Sequence, residues 1–73
     1  MYSKAFIINN VVVSKWYGGL RMARIEFMKK HTKMNIDVLP TISTGNKLTN
    51  HKIIADLADG KLEYEDVVKK YLN

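Results

Sequence analysis

Apolar residues near the start of the chain form two short runs separated by two asparagines. The runs are Ala5-Phe6-Ile7-Ile8 and Val11-Val12-Val13, and both are rich in β-branched or aromatic side chains. Asparagine tolerates a positive φ better than other non-glycine residues, and a two-residue hairpin turn requires one. The pattern therefore favours a β-hairpin over residues 3–8 and 11–16. One long strand running through Asn9-Asn10 is the alternative.

The residues after Gly18-Gly19 favour a helix from about residue 20 to residue 32, because most of them are good helix formers. The basic run at residues 29–33 would suit the negative end of the helix dipole. At about 100° per residue, such a helix carries two apolar stripes on opposite sides. One stripe is typical of a core seam and contains Trp16, Leu20, Ala23 and Phe27; the other contains Met22, Ile25 and Met28.

Three shorter elements are predicted in the second half of the chain. Residues 35–39 alternate polar and apolar side chains and precede Pro40, which indicates a short strand at a sheet edge. A helix over about 50–58 follows and ends at Gly60. A last helix over about 63–72 has acids in its first turn and lysines in its last, as the helix dipole favours.

The predicted order of elements is β-β-α-β-α-α, in one small domain that spans residues 1–73. We expect an α+β fold in which a small antiparallel sheet packs against one basic helix and a C-terminal helical hairpin. The hairpin and the short edge strand would form that sheet. The predicted core consists of Phe6, Ile8, Val12, Leu20, Ala23, Phe27, Ile36, Val38, Ile53, Ile54, Leu57, Val67, Val68, Tyr71 and Leu72.

The composition narrows the class of protein. A chain of 73 residues buries only about 60% of the surface that its unfolded form exposes. The sequence has no cysteine for a disulfide or a thiolate zinc site, and its two histidines make a structural metal unexpected. No apolar run approaches the ~20 residues that span a bilayer, and the N-terminus is not typical of a signal peptide. We expect a soluble, cytoplasmic protein with no cofactor and no membrane partner.

Charge is placed unevenly along the chain. Residues 1–36 hold seven basic residues against one acid, whereas residues 37–73 hold five basic residues against six acids. The net charge of +5 therefore comes from the first half. This asymmetry predicts an anionic partner, either nucleic acid or a larger protein with an acidic surface.

The sequence lacks a pattern typical of catalysis. No cysteine is present, and the three serines lie outside any glycine-elbow context. His31 lies in a lysine-rich run and His51 at the start of a predicted helix, where both are typical of solvated residues. The carboxylates cluster at helix ends, where they act as caps. We expect no enzyme and name no catalytic, cofactor-binding or metal-binding residue.

Two binding hypotheses follow for the basic helix. The leading one is a non-enzymatic accessory factor or inhibitor, of the kind that phages encode, which contacts a larger macromolecule through one helix face. Burial of its apolar members within the fold and self-association into a homo-oligomer are alternatives for that face. The face consists of Arg21, Met22, Ile25, Met28 and Lys29.

The second hypothesis is a small DNA-binding or other nucleic-acid-binding regulatory protein. On a helical wheel the arginines and lysines of the first helix spread over one broad face, and a tryptophan next to it could stack on bases. The residues of this predicted interface are Lys15, Trp16, Arg21, Arg24, Lys29, Lys30 and Lys33.

Residues 59–71 read Asp-Gly-Lys-Leu-Glu-Tyr-Glu-Asp-Val-Val-Lys-Lys-Tyr. They resemble transposase-type helix-turn-helix domains, which often read Gly-Lys-Leu-Ser-Tyr and then Glu-Val-Ala-Lys-Lys-Tyr. The resemblance extends over about residues 51–71 and implies two packed helices. In the family a glycine-containing turn and a recognition helix follow, whereas this sequence reaches Asn73 first. Phosphates would repel the acids that begin the last helix, so no DNA-contacting residue is carried over.

Overall fold

The computed structural model describes residues 5–31, 33 and 35–72. Within them the strands are β1 (Ala5–Ile8), β2 (Val11–Trp16), β3 (Gly19–Arg24) and β4 (Thr41–Ile42). The helical segments are α1 (Ile25–His31), a 3₁₀ turn (Ile36–Val38), α2 (Lys47–Asp59), α3 (Tyr64–Val67) and a π-helical turn (Val68–Leu72) that continues α3. Strands and helices are both present, so the predicted α+β class is confirmed.

The predicted hairpin is confirmed over the described residues. β1 and β2 pair antiparallel, and Ile8 opposite Val11 closes the turn. Both turn residues have positive φ, 49° at Asn9 and 64° at Asn10. These angles are those of a type I′ turn, whose twist matches the twist of the flanking strands. Residues 3 and 4 of the predicted first strand lie outside the described residues.

The predicted helix over 20–32 is wrong in its first part, because residues 19–24 form a strand. Only Ile25–His31 is helical, and Thr32 lies outside the described residues. Gly18, at φ 85°, reverses the chain directly after β2. β3 then pairs along the whole of β2, from Trp16 opposite Gly19 to Val11 opposite Arg24. A full ladder of hydrogen bonds outweighs the helix propensities of this segment, which differ by less than about 1 kcal/mol per residue.

The predicted edge strand is displaced by a few residues. Residues 36–38 form the 3₁₀ turn, where the Asn35 side chain accepts a hydrogen bond from the Asp37 N–H. The strand forms after Pro40 instead, whose carbonyl accepts a hydrogen bond of 2.8 Å from the Ile7 N–H. β4 pairs parallel with β1, so the sheet is mixed rather than antiparallel throughout, in the order β3-β2-β1-β4.

Both predicted C-terminal helices are present. α2 begins at Lys47, earlier than predicted, because the Asn46 side chain accepts hydrogen bonds from the N–H groups of Leu48 and Thr49. It ends at Gly60, which takes the left-handed conformation at φ 78°. α3 begins with a capping box formed by Glu63 and Asp66.

Side chains are buried on both faces of the sheet, so the core has two parts. The main core lies under α2 and α3, where the Phe6 and Tyr64 rings stack at 5.3 Å; its buried members are Phe6, Ile8, Val13, Ile42, Ile53, Leu57, Tyr64 and Val67. A smaller second core lies on the opposite face and contains Ala5, Ile7, Val12 and Ile36. Most predicted core residues are buried or half-buried, but Phe27 and Val38 are 57% and 72% exposed, so those two predictions are wrong.

Candidate ligand-binding groove

A groove opens on the sheet face that carries the second core. Ile25 and Met28 of α1 pack against that core together with Leu39, so α1 covers one end of this face. Next to α1 the face stays open and forms a groove of about 460 Å³. Its walls are formed by Val12, Ser14, Trp16, Arg21, Met22, Ala23, Phe27 and Met28.

The strand register explains why there is room for a groove. Successive side chains of a strand point to opposite faces, so Val12, Ser14 and Trp16 share the groove face of β2. Their partners on β3 are Ala23, Arg21 and Gly19, respectively. Two of these three partners have a single methyl group or no side chain. The β3 side of this face is therefore shallow, and the large side chains stand around it.

Trp16 forms one wall and is held at its polar end. Its indole N–H donates a hydrogen bond to the Ser14 hydroxyl oxygen. Ser14 is only 3% exposed, whereas Trp16 is 50% exposed. The hydrogen bond fixes the ring against the sheet while half of its surface stays open to solvent. An anchored, half-exposed aromatic ring is a surface on which a planar ligand can stack.

Two further aromatic side chains are exposed nearby. Phe27 lies on the α1 wall, with its ring centroid 4.5 Å from that of His31. Tyr17, at the turn between β2 and β3, is 95% exposed. Exposed apolar side chains that cluster and are rimmed by polar residues are typical of binding surfaces. The groove and its rim therefore combine unused aromatic surface with a concave shape.

Arg21 supplies the positive charge of the groove. Among the described residues it has no ion pair, and it is exposed. Lys29, by contrast, lies 3.9 Å from the Asp37 carboxylate, on another side of α1. Lys30 and Lys33 are exposed and do not line the groove. An anionic group that enters the groove would thus meet an unpaired guanidinium.

Charge is divided between the two layers of the molecule. Residues 47–72, which form the α2–α3 layer, carry five lysines and five carboxylates. Residues 5–46, which form the sheet, α1 and the 3₁₀ turn, carry six cations and two carboxylates. The layer that contains the groove is the positive one, so the field of the protein attracts anions toward that side.

The single basic face predicted from a helical wheel is wrong, because half of the segment is a strand. Arg21 and Arg24 are three residues apart on β3 and therefore point to opposite faces. Lys15 points to the α2–α3 side, where it forms an ion pair with Glu65. Hydrogen bonding by Lys15 lowers the pKa of the Glu65 carboxyl below its ordinary value of 4.5. Of the predicted nucleic-acid interface, only Trp16 and Arg21 line the groove.

The predicted protein-binding face is also divided. The Ile25 and Met28 side chains pack against the second core and that of Met22 against the main core. All three are half-buried, so burial within the fold accounts for the apolar part of that face. Arg21 and Lys29 stay exposed, but no helix face joins them.

Sequence reasoning missed Phe27 as a groove residue, because it was assigned to a core seam. It also missed Ser14 and Ala23. One signal was available: Leu20-Arg21-Met22 alternates apolar and polar, which is the period of a strand.

No protein-family model, curated protein or solved structure matches this chain. The resemblance of residues 51–71 to transposase-type helix-turn-helix domains therefore stays a prediction. In the part of the chain that the structure describes, no three histidine, aspartate or glutamate side chains cluster so that they could hold a metal ion. Within the same residues, every helix is too short or too polar to cross a bilayer.

Proposed function

We propose that this protein is a non-enzymatic regulatory protein that binds single-stranded nucleic acid on the groove face. The observation that carries the proposal is that Trp16, Phe27 and Arg21 border one groove. Proteins that bind single strands combine aromatic side chains, on which bases stack, with cations that contact phosphates. Both kinds of group occur here within one concave surface.

The shape of the site favours a single strand over a duplex. Bases can reach aromatic side chains in a groove only when they are unstacked, as in single strands, loops and bulges. Duplex recognition in the major groove commonly uses a helix that is free along one side. α1 has seven residues, and its Ile25 and Met28 side chains pack on the second core. The described residues of this face thus offer a groove and a helix of only about two turns.

The charge distribution also supports this ligand. The groove layer carries an excess of four positive charges, counted from its six cations and two carboxylates. Lys30 and Lys33 are exposed, do not line the groove, and contribute to this positive charge. Phosphate contacts of this kind dominate affinity for nucleic acids and make it strongly dependent on salt.

An acidic partner protein is the second candidate, and Tyr17 is the observation that favours it. This side chain is 95% exposed at the tip of the β2–β3 hairpin, outside the groove. Tyrosine, tryptophan and arginine are the residues that most often carry the binding energy of protein interfaces. Salt distinguishes the two candidates, because an interface anchored by aromatic side chains depends on salt much less than phosphate binding does.

The test is fluorescence anisotropy with three labelled oligonucleotides: single-stranded DNA, single-stranded RNA and duplex DNA. Each is about 15 nucleotides long, which is near the range of known single-strand sites. The titrations are made at ~50 and ~200 mM NaCl, with Trp16 emission followed in parallel. We expect single strands to bind more tightly than duplex and to weaken steeply with salt. Stacking on Trp16 should quench its emission.

Four variants locate the contact. Phe27→Ala should weaken binding about 5- to 150-fold, since a base stacked on an aromatic ring contributes about 1–3 kcal/mol. Arg21→Gln should lower the salt slope by about 0.7, the value for one phosphate of a single strand. Ala23→Leu fills the groove without changing charge and should also weaken binding. Lys69→Gln, which removes a cation from the α2–α3 layer, is the matched control and should change little.

Two results would contradict the proposal. One is no binding of any oligonucleotide at the lower salt concentration. The other is an equal loss of affinity for Arg21→Gln and Lys69→Gln, which would mean that net charge alone attracts the strand. In either case the acidic protein partner becomes the better candidate.

A further inference from the structure

The two edges of the sheet differ in length and protection. β4 forms one edge and has two residues, which is too short to template another strand. β3 forms the other edge and has six residues. In the part of the chain that the structure describes, β3 pairs only with β2. One side of a full-length strand is therefore left without a backbone partner.

The register shows which backbone groups are unpaired. Trp16 opposite Gly19 closes a two-residue turn, so these two residues exchange hydrogen bonds, as does every second pair after them. The Ile25 N–H continues this alternation by donating to the Asn10 carbonyl at 3.2 Å. The N–H groups of Leu20, Met22 and Arg24 and the C=O groups of Leu20 and Met22 therefore point away from β2. The C=O of Arg24 directly precedes α1 and accepts the first hydrogen bond of that helix.

The edge is open on the side of α1. Ile25 and Met28 pack against the second core, so these α1 side chains lie over a face of the sheet and not along the backbone edge of β3. Natural proteins protect long edge strands with prolines, bulges, covering elements or charged side chains. β3 has no proline and pairs with β2 without a bulge. Among residues 5–31, 33 and 35–72, the features that protect this edge are the charged side chains of Arg21 and Arg24.

We propose that β3 pairs with β3 of a second copy of this chain, antiparallel and centred on Met22. In that register Met22 lies opposite Met22 of the second copy, Leu20 opposite Arg24, and Arg21 opposite Ala23. Each arginine thus lies opposite an apolar side chain rather than another arginine. The Met22 pair exchanges two hydrogen bonds, and at each Leu20–Arg24 pair the Arg24 N–H donates one, which gives about four backbone hydrogen bonds. The interface is self-complementary, as a two-fold dimer requires.

The same register joins matching surfaces on both faces of the sheet. Leu20 and Met22 pack at the border of the main core and are half-buried in one copy. In the pair Met22 adjoins Met22 of the second copy and Leu20 adjoins its Arg24, which removes more of their surface from water. On the other face Arg21 of each copy adjoins Ala23 of the other. The two grooves then lie side by side across a continuous eight-stranded sheet.

Salt separates this proposal from nucleic-acid binding. Each copy carries a net charge of +5, and each contributes two arginines to the paired edge. Two copies therefore repel each other, and salt that screens this repulsion strengthens the pairing. Salt weakens phosphate contacts in contrast. The dimer can consequently exist if the chain binds no nucleic acid, and the reverse also holds.

The first test is sedimentation equilibrium of the full chain at protein concentrations from ~10 µM to ~1 mM. It is made at ~0.1 M NaCl, where charges are screened weakly, and at ~0.5 M NaCl, where they are screened more strongly. We expect a shift from one chain to two, at lower protein concentration in the higher salt.

Met22→Pro removes an outward-facing N–H and should keep the chain monomeric. An edge strand tolerates proline at such a position. If this variant does not fold, a synthetic chain with an ester in place of the Met22 amide removes the same donor. The matched ester at Ala23 removes an N–H that faces β2 and should leave dimerisation intact.

The second test uses the absence of cysteine, since each variant then has a single thiol. Met22→Cys places two thiols on the two-fold axis with Cα atoms about 5.5 Å apart, within the range of a disulfide. Leu20→Cys is the control, because its two copies would lie about 14 Å apart along the strands. We expect oxidation to crosslink the first variant rapidly and the second slowly.

Three results would overturn the proposal. A chain that stays monomeric at ~1 mM in both salts does not pair through β3, and the edge would then be left for a strand of another protein. A dimer that persists in Met22→Pro or in the Met22 ester uses another surface. Equal crosslinking of the two cysteine variants would show that the register is different.

Discussion

Asn10 offers a sharp test of the turn that begins the fold. Its φ of 64° lies in the left-handed region, and the preceding Asn9 is at 49°. Side chains with a Cβ atom cost about 1–2 kcal/mol in this region, and asparagine pays less than alanine because its side chain can hydrogen-bond locally. Asn10→Ala should therefore lower the free energy of unfolding by about 1 kcal/mol. For a domain of this size that corresponds to about 4–8 °C in Tm.

Asn10→Gly is the matched substitution, because glycine adopts positive φ without strain. It completes an Asn-Gly pair, the preferred type I′ turn, and should leave Tm unchanged or raise it slightly. The Asn10 carbonyl still accepts its hydrogen bond from Ile25 in both variants. Thermal and urea unfolding followed by circular dichroism measure the difference. Equal stability of the alanine and glycine variants would refute the reasoning, since the left-handed geometry favours glycine at this position.

Two further predictions concern other elements. Asn46→Ala should cost about 0.5–2 kcal/mol in urea unfolding, because the Leu48 and Thr49 N–H groups lose their acceptor; Asn46→Ser should restore most of it, and equal values for the two variants would count against the cap. For Glu65, whose pKa is lowered, the ion pair stabilises the fold fully above about pH 5 and is lost as pH falls through the folded-state pKa. Acid titrations of Tm should show a shallower fall for Glu65→Gln than for wild type at low salt; parallel curves would mean that the Lys15 contact contributes nothing.

Local chemistry made the first hairpin predictable. Two asparagines between two β-branched runs admit few other structures, and the turn type follows from their tolerance of positive φ. The helix ending at Gly60 could be predicted for a similar reason, because a glycine there can adopt the left-handed cap. In these places the residues that determine the conformation are neighbours in sequence.

β3 could not be predicted in the same way, because its partner decides its structure. Leu20, Met22 and Ala23 favour a helix in isolation, and α1 begins directly after this segment. The strand forms because β2 presents a complete edge to it across the turn at Gly18. The helical wheel then grouped residues that a strand separates, so neither predicted binding face is a single helix face. Trp16 and Arg21 both line the groove because the pairing of β2 with β3 places them on the same face of the sheet.

The groove depends on the same change from helix to strand. In a strand, alternation places Leu20 and Met22 toward the main core and leaves Arg21 and Ala23 on the opposite face. α1 does not cover this face fully. The residues that flank Arg21 on β3, Gly19 and Ala23, are too small to fill the remaining space. A larger side chain at position 23 would fill this space and bury Val12 further, at the expense of the groove. The small side chains of β3 thus leave apolar surface open in a domain with little core, a pattern that selection for stability alone would not favour.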